Sequence, residues 1–171
     1  RTQNYESAVL VDRDEFAIAT LDRFKQKGAS LLHADFASAA KALAEKGEQF
    51  DIVLVDLGVS SPQLDRAERG FSFTKSGPLD MRMDARLELT AERLVNTASA
   101  DELVRIITTY GEEPTKVARR IASTIVQSRP LKTTEDLASL IEQQHRGRRM
   151  KIHPATRTFQ ALRIAVNDEL G

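Results

Sequence analysis

The sequence predicts an α/β protein in which a parallel sheet near the start of the chain is followed by a region of helices alone. Strand and helix signals alternate as far as Val55, glycine and proline residues interrupt the pattern over 57–86, and only helical periodicity returns afterwards. Strands that alternate with helices at this spacing predict parallel pairing, with the helices packed on the faces of the sheet. We therefore divide the chain into an α/β part (1–64), a connecting loop (65–89) and an all-helical part (90–171).

In the α/β part, short apolar runs mark the strands, and apolar residues spaced three to four apart mark the helices. The run at 50–55 predicts a strand that is buried on both faces. Gly28 and Gly47 stand where glycine commonly ends a helix. The predicted elements, in chain order, are a strand at 8–11, a helix at 15–27, a strand at 30–33, a helix at 38–46 and a strand at 50–55.

The helical part opens on Ser99 and Glu102, whose spacing matches a capping box, in which two residues satisfy each other's backbone N–H groups. Gly111 is predicted to close that helix, Pro114 suits the first turn of the next, and Thr134 can cap a third. The predicted helices cover 99–110, 114–126, 134–143 and 155–170.

The composition narrows the class of protein. Hydrophobic residues make up 41% of the 171 and charged residues 29%, which is typical of a folded globular protein and not of a disordered chain. The absence of cysteine excludes disulfides, thiolate catalysis and cysteine metal ligands. No apolar run reaches the roughly 18–20 residues that cross a bilayer, so we expect no membrane partner.

The charges balance overall but are unevenly distributed. The chain has 25 basic and 25 acidic residues, yet 113–163 holds 11 basic residues against 4 acidic ones. A basic region within a neutral chain indicates contact with a polyanion, although a solvated helical surface would carry the same charges.

Carboxylates follow the predicted strands. Ligands of open parallel sheets bind at the carboxyl ends of the strands, and Asp12, Asp35 and Asp56 each come directly after a strand signal. An acid there can accept hydrogen bonds from the hydroxyls of a ribose, and the neighbouring Phe36 can cover an adenine ring. Aspartate after a strand is also common as a turn former or helix cap, which is the simpler explanation of Asp35 alone. Phe36 alone would more often be a core residue.

This pattern does not say which nucleotide cofactor binds. A ribose-binding acid serves NAD as well as S-adenosylmethionine, and the glycine-rich turn that helps to decide normally precedes it. None of the eleven residues before Asp12 forms such a turn. We therefore expect the first strand and its glycine-rich loop to lie before Arg1, in a longer protein of which this sequence is a part.

Five segments together form a specific signature. They are DLGVSSPQLD at 56–65, RGFSF at 69–73, GPLDMRMD at 77–84, YGEE at 110–113 and TRTFQALRIAVNDEL at 156–170. In this order they resemble the MraW/RsmH family, the 16S ribosomal RNA (cytosine-N4) methyltransferases. The resemblance covers the chain from about Val11 to its end.

The resemblance implies a Rossmann-like class I S-adenosylmethionine methyltransferase domain, partial in this sequence, with an inserted all-helical domain that recognises RNA. The family's first strand would lie between those ending at Asp12 and Asp56, and its later strands beyond Gly171. The implied activity is S-adenosylmethionine-dependent N4-methylation of a cytidine in the decoding centre of 16S ribosomal RNA. The implied partner is the small ribosomal subunit, in the cytoplasm or, alternatively, the mitochondrial matrix. The family's cofactor contacts fall on Asp12, Phe36, Asp56 and Gln63.

The N4 atom of cytosine is a poor nucleophile because its lone pair is delocalised into the ring. Many amino-methyltransferases place a short polar-Pro segment after the fourth strand, where it accepts hydrogen bonds from the amino protons. Ser60, Ser61 and Pro62 are the corresponding catalytic candidates, although Ser-Ser-Pro can also simply shape a turn. The target base must be unpaired or leave its stack to reach them.

Basic side chains suited to hold RNA phosphates form two groups, one after Pro114 and one before the last helix. They are Lys116, Arg119, Arg120, Arg146, Arg148, Arg149 and Lys151. Phosphate contacts fix register and orientation and do not read sequence. His145 and His153 flank the second group, but no carboxylate or cysteine stands at ligand spacing, so we expect no metal site.

Two other functions fit parts of the sequence. A non-catalytic RNA-binding or ribosome-assembly factor would keep the helical domain without holding the cofactor, and the missing glycine-rich loop favours it. An NAD-dependent oxidoreductase would explain a ribose-binding acid but neither the long Gly/Pro connection nor the basic helices. Cofactor binding distinguishes all three.

Overall fold

The computed structural model describes residues 7–144 and 151–170 of the chain, which divides into two compact units. The first, called here the sheet unit, comprises Arg1–Leu57 together with Met83–Arg86. The second, the helical unit, comprises Gly58–Arg82 together with Leu87–Gly171.

The sheet unit contains two parallel strands and their helices. Its elements are β1 (Ala8–Asp12), α1 (Glu15–Leu21) continued by a 3-10 segment (Asp22–Lys27), β2 (Ala29–His33) and α2 (Phe36–Glu45). β1 and β2 pair in parallel, with Asp12 opposite His33 at their carboxyl ends. Gly28 and Gly47 follow the two helical stretches in the left-handed conformation. The first four predicted elements are therefore confirmed, with the end of the first helix wound more tightly than predicted.

The predicted strand at 50–55 is wrong, because the segment forms no regular secondary structure. A strand exists only where a neighbour supplies its backbone hydrogen bonds, and in the described part of the chain the sheet consists of β1 and β2 alone. Side chains that were predicted to be buried are instead exposed, Ile52 by 83% and Leu54 by 90%. Asp56 therefore does not stand at the end of a strand.

The helical unit contains six α-helices and a short 3-10 segment (Ala67–Arg69) among its described residues. The α-helices are α3 (Ser61–Asp65), α4 (Ala91–Thr97), α5 (Ala100–Gly111), α6 (Thr115–Gln127), α7 (Thr134–Gln143) and α8 (Thr156–Asn167). The last four were predicted, whereas α3 and α4 were not. α4 begins after Thr90, whose side chain accepts the N–H of Arg93 at 3.1 Å. Across the described residues, no helix combines the length and the apolar character needed to span a bilayer.

The predicted start of α5 is confirmed and its predicted end is shifted. The Ser99 hydroxyl accepts the N–H of Glu102 at 3.1 Å, as an N-cap residue does. Gly111 still belongs to the helix, and Glu112 takes the left-handed position that ends it, with φ of 52°.

The cap of α7 is Thr133 and not Thr134 as predicted. The Thr133 hydroxyl accepts the N–H of Asp136 at 3.1 Å, and the Asp136 carboxylate accepts the N–H of Thr133 at 2.9 Å. Thr134 is fully buried, and its hydroxyl accepts the N–H of Gly77 at 3.1 Å. A contact across 57 residues of chain thus decides which threonine caps the helix.

The helical unit has a core of its own, in which α5 packs against both α6 and α8. Its fully buried side chains include Val95, Leu103, Ile107, Ile121, Ile125, Leu137, Ile141 and Leu162. On α5, α6 and α7 these residues are four apart, so each pair lies on one face of its helix. Burial of each side chain contributes roughly 1.5–3 kcal/mol before the entropy of ordering is subtracted.

Candidate functional site

The carboxyl end of the sheet carries the first predicted cofactor residue. Asp12 is the last residue of β1, and its Oδ1 accepts the N–H of Asp14 at 2.8 Å. Asp14 in turn caps α1 by accepting the N–H of Phe16 at 3.0 Å. One oxygen of Asp12 therefore shapes the turn after β1, while Oδ2 receives no hydrogen bond from any described residue.

Asp35 and Phe36 lie at the same edge, directly after β2. Asp35 Oδ1 accepts the N–H of Ser38 at 2.8 Å and so caps α2. This bond from the Ser38 backbone stabilises the ionised carboxylate and lowers the pKa of Asp35. The explanation of Asp35 as a helix cap is thus confirmed. Phe36 is 52% exposed, so the explanation of it as a core residue is wrong.

The sheet unit also contains an ion pair between two residues that lie much later in the chain. Arg86 donates to both carboxylate oxygens of Asp84, from Nε at 2.9 Å and from Nη2 at 2.6 Å. These bonds hold the pKa of Asp84 at about 2, and the nearby His33 acts in the same direction. The pair itself is local, but the sequence contained no signal that would place it in the sheet unit, some 50 residues after His33.

The catalytic candidates form the entry to α3 in the helical unit. Ser60, Ser61 and Pro62 are all exposed, whereas Gln63 is only 6% exposed. The side-chain Oε1 of Gln63 accepts the N–H of Ser60 at 2.9 Å, and the backbone N–H of Gln63 donates to the Ser60 carbonyl at 3.0 Å. The three exposed residues therefore lie on a turn that is hydrogen-bonded to the buried Gln63.

Signature segments of the helical unit contact one another through the backbone of Met81. This residue is fully buried and has φ of 61°, an uncommon value for a side chain of its size. Its N–H donates to the Arg69 carbonyl at 3.0 Å, and its carbonyl accepts Nδ2 of Asn167 at 2.7 Å. Three of the five signature segments thus meet at one residue.

A second contact between signature segments lies where α5 ends on α8. The side chain of Arg157 donates to the Glu112 carbonyl at 3.3 Å, and that of Gln160 donates to the Tyr110 carbonyl at 3.2 Å. The last carbonyls of a helix lack partners within it, so these side chains satisfy them from outside. These signature residues serve packing in the structure.

The basic residues of α6 differ in burial. Lys116 and Arg119 are exposed, whereas Arg120 is partly buried, and its Nε and Nη2 have no acceptor among the described residues. Because these two nitrogens are buried, the structure does not present them to a phosphate, and Arg120 differs in this from Lys116 and Arg119. Lys151, from the second basic group, is also exposed. Three of the predicted RNA contacts lie outside the described residues, namely Arg146, Arg148 and Arg149.

His153 joins α7 to the start of α8. Its Nδ1 accepts the N–H of Ala155 at 3.2 Å, so the ring proton is assigned to Nε2, which donates to the Glu142 carboxylate. The ring also stacks on Phe73, with 4.3 Å between the centroids. The carboxylate partner of His153 was missed in the sequence because it lies eleven residues upstream. Within the described residues no three His, Cys, Asp or Glu side chains are grouped closely enough to hold a metal ion.

These features indicate the class of this protein, an α/β protein with an additional helical unit. The sheet unit has an acid and an exposed aromatic ring at the carboxyl end of parallel strands, where α/β proteins bind nucleotide-type ligands. The same chain carries a helical unit with an exposed basic helix. The family model described as the MraW methylase family matches residues 1–171. The chain belongs to the MraW methylase family, and its two-stranded parallel sheet with flanking helices confirms the predicted partial Rossmann-like fold.

Curated relatives named Ribosomal RNA small subunit methyltransferase H show the same similarity. The relative from Cyanothece sp. is 63% identical over 122 residues, which are 71% of this chain and 41% of that protein. The one from Synechocystis sp. is 58% identical over 126 residues, 72% of this chain and 41% of the relative. The one from Dichelobacter nodosus is 47% identical over 165 residues, 94% of this chain and 54% of the relative. The chain thus spans about half the length of the curated relatives it matches.

Proposed function

We propose that this chain is part of an S-adenosylmethionine-dependent enzyme that methylates N4 of a cytidine in the decoding centre of small-subunit ribosomal RNA. Membership of the MraW methylase family carries the reaction class, and the names of the relatives supply the RNA class. The observation that supports the cofactor is the placement of Asp12 and Phe36 at one edge of the sheet. Such an enzyme would act where ribosomes are assembled, in the cytoplasm or in the mitochondrial matrix.

The residues at this edge have the chemistry that an adenosyl group needs. Oδ2 of Asp12 can accept hydrogen bonds from ribose hydroxyls, and the exposed ring of Phe36 can stack on adenine. Asp35, like Asp12, uses one carboxylate oxygen in a local backbone bond, and we assign it the helix-capping role. Asp56 is exposed and follows no strand in the structure, so its assignment as a cofactor contact rests on the family resemblance alone. When bound, S-adenosylmethionine supplies a methyl group that is activated by a positively charged sulfur.

The exposed turn before α3 is assigned to the methyl acceptor. Oxygens of Ser60, Ser61 and the carbonyls around Pro62 would accept hydrogen bonds from the amino protons of cytosine and make N4 more nucleophilic. S-adenosylmethionine held by the cofactor residues would supply the methyl group that N4 accepts, and N4 would give up one of its protons to solvent. The main contribution of the protein is alignment of the reacting atoms.

Asp12→Asn is expected to weaken binding of S-adenosylhomocysteine by at least about tenfold, or about 1.4 kcal/mol. The amide keeps an acceptor for the N–H of Asp14, so the turn after β1 should persist while the charged ribose contact is lost. Isothermal titration on the full-length protein measures this, with Asp56→Ala as a second variant. Asp22→Ala is the control, since this exposed aspartate pairs with Lys25 on the surface of the 3-10 segment and should leave affinity within about twofold.

Unchanged affinity in both Asp12→Asn and Asp56→Ala would overturn this cofactor pocket. If the unaltered full-length protein binds ribosomal RNA but no S-adenosylhomocysteine, the chain belongs instead to an RNA-binding or assembly factor.

The basic groups on α6 and before α8 are assigned to RNA phosphates. Lys116 and Arg119 are three residues apart and exposed, so they lie on one accessible face of α6. Arg120 is assigned with them from the sequence, although two of its guanidinium nitrogens are buried. Lys151 is exposed and carries the same assignment, as do Arg146, Arg148 and Arg149, which lie outside the described residues.

Replacing both Lys116 and Arg119 with alanine is expected to flatten the salt dependence of RNA binding. The slope of log K against log salt is negative, and each lost phosphate contact reduces its magnitude by about 0.7 to 0.9. Loss of both contacts should therefore reduce the magnitude by about 1.4 to 1.8. Filter binding of small-subunit RNA at salt concentrations from about 50 to about 300 mM, which bracket the physiological value, measures the slope. Arg105→Ala, an exposed arginine of α5, should leave it unchanged. An unaltered slope in the double variant would show that these residues are merely solvated.

A further inference from the structure

The side chain of His33 connects the end of one strand to the turn that follows the other. His33 is the last residue of β2 and stands opposite Asp12, the last residue of β1. It is half-buried, and its Nε2 lies 3.0 Å from the backbone carbonyl oxygen of Arg13. A carbonyl oxygen can only accept a hydrogen bond, so Nε2 is the donor. His33 therefore ties the turn at 12–14 to the end of β2.

The peptide group that His33 holds is the one that binds the Asp12 carboxylate. The Arg13 carbonyl belongs to the same planar peptide as the N–H of Asp14, and that N–H donates to Oδ1 of Asp12 at 2.8 Å. A hydrogen bond at the carbonyl of a peptide polarises its N–H and strengthens the bond that this N–H donates. The strand bond from the N–H of Ala34 goes to the Asp12 carbonyl instead, at 3.1 Å. The direction of the Asp12 carboxylate thus depends on a peptide that His33 holds from its other side.

We infer that His33 is a positioning residue for the cofactor, whose Nε2–H fixes the direction in which the Asp12 carboxylate presents Oδ2 to the ribose. This inference rests on the proposed function of Asp12 as the ribose-binding acid. The family resemblance places the cofactor contacts on other residues, and His33 acts on one of them through the main chain. Because the contribution is one hydrogen bond of ordinary strength, its loss should weaken cofactor binding severalfold without abolishing it.

The test measures binding of S-adenosylhomocysteine to variants of the full-length protein by isothermal titration. We expect His33→Ala to raise Kd about fivefold, as the loss of one such hydrogen bond would. His33→Gln keeps a side-chain N–H at a similar reach and should stay within about twofold of the unaltered protein. Ser30→Ala, which changes an exposed residue of the same strand, is the control and should also stay within about twofold.

A double-mutant cycle with Asp12→Ala tests whether His33 acts through Asp12. If it does, His33→Ala should raise Kd by less than about twofold in a protein that already lacks the Asp12 carboxylate. A direct contact between His33 and the cofactor would instead cost about fivefold in both backgrounds, and that result would overturn the inference. A purely structural role for His33 would lower the urea midpoint of unfolding and leave Kd unchanged, which would also overturn it.

The remaining outcomes separate this inference from the proposed function. If His33→Gln binds as weakly as His33→Ala, the inference is contradicted, because the donor is then not what matters. If the unaltered full-length protein binds no S-adenosylhomocysteine, the proposed function itself fails. Binding that is weakened in Asp12→Ala but not in His33→Ala defeats the inference alone. If His33→Ala proves poorly folded, His33→Leu, which keeps the bulk of the side chain without a donor, takes its place with the same expectations.

Discussion

Gly70→Ala is expected to destabilise the helical unit by at least about 3 kcal/mol, a loss found only where a substitution disturbs a packed backbone. A Cβ at this position would stand 2.2 Å from the carbonyl oxygen of Pro78 and 2.7 Å from the backbone nitrogen of Asp80. Both neighbours are backbone atoms, so no side-chain rotation relieves the overlap. The segment that would have to move carries the buried Leu79 and Met81 into the core.

Gly47→Ala separates this overlap from the cost of the backbone conformation. Gly70 and Gly47 have nearly equal φ values, 72° and 75°, but a Cβ on Gly47 would meet no atom within 4 Å. The control should therefore cost about 1–2 kcal/mol, from the left-handed conformation alone. Urea unfolding followed by circular dichroism at 222 nm measures both variants in the full-length protein. Equal losses for the two would mean that the backbone crossing at Gly70 adjusts without cost.

Local signals predicted six of the eight α-helices in the described residues, and most of their ends to within one or two residues. The cap at Ser99 and the glycines after the first two helical stretches depend on residues within one turn, so the sequence contains all the information that sets them. The choice between Thr133 and Thr134 as the cap of α7 is not set by residues within one turn. Both residues can cap α7, and the long-range bond from Gly77 to Thr134 excludes the second.

Whether 50–55 forms a strand could not be predicted from the residues of that segment alone. Apolar side chains indicate that a segment is suited to burial. A strand also needs a neighbouring backbone to pair with, and the residues of the segment do not specify that neighbour. Ile52 and Leu54 have strand-type side chains and remain exposed in the structure. For the same reason the position of Asp56 was predicted less well than those of Asp12 and Asp35, which follow strands that pair with each other.

For the candidate site, the sequence predicted which segments matter but not what each of them contacts. Asp12 and Phe36 could be placed at one edge because parallel strands share a direction. The meeting of Arg69, Met81 and Asn167 depends on packing between residues up to 86 apart, for which the sequence has no periodic signal. A specific motif can therefore report a structural contact as readily as a chemical one.

Arg82→Ala is expected to destabilise the helical unit by about 2 kcal/mol at neutral pH, because it removes the guanidinium that offsets the partial burial of the Asp80 carboxylate. Arg82 donates from Nε to Oδ1 of Asp80 at 2.7 Å, from Nη2 to Oδ2 at 2.8 Å, and from Nη1 to the Leu87 carbonyl at 2.8 Å. The two side chains are only 24% and 29% exposed, so solvent screens them less than a surface pair. Arg82→Lys keeps the charge but not three donors in a planar fork, and should restore only part of the loss.

The pH dependence provides a second test of the same pair. Burial alone would raise the pKa of Asp80, but the hydrogen bonds and charge of Arg82 outweigh it, and the pKa lies below its ordinary value of 3.8. A depressed pKa contributes stability that is present above the unfolded value and is lost as the pH falls through the folded one. The difference between the unaltered protein and Arg82→Ala should therefore be largest near pH 7 and shrink below about pH 4, where Asp80 becomes protonated in the variant. Urea midpoints at about pH 7 and about pH 3 measure it, and a difference that is the same at both would show that Arg82 acts through packing and not through its charge.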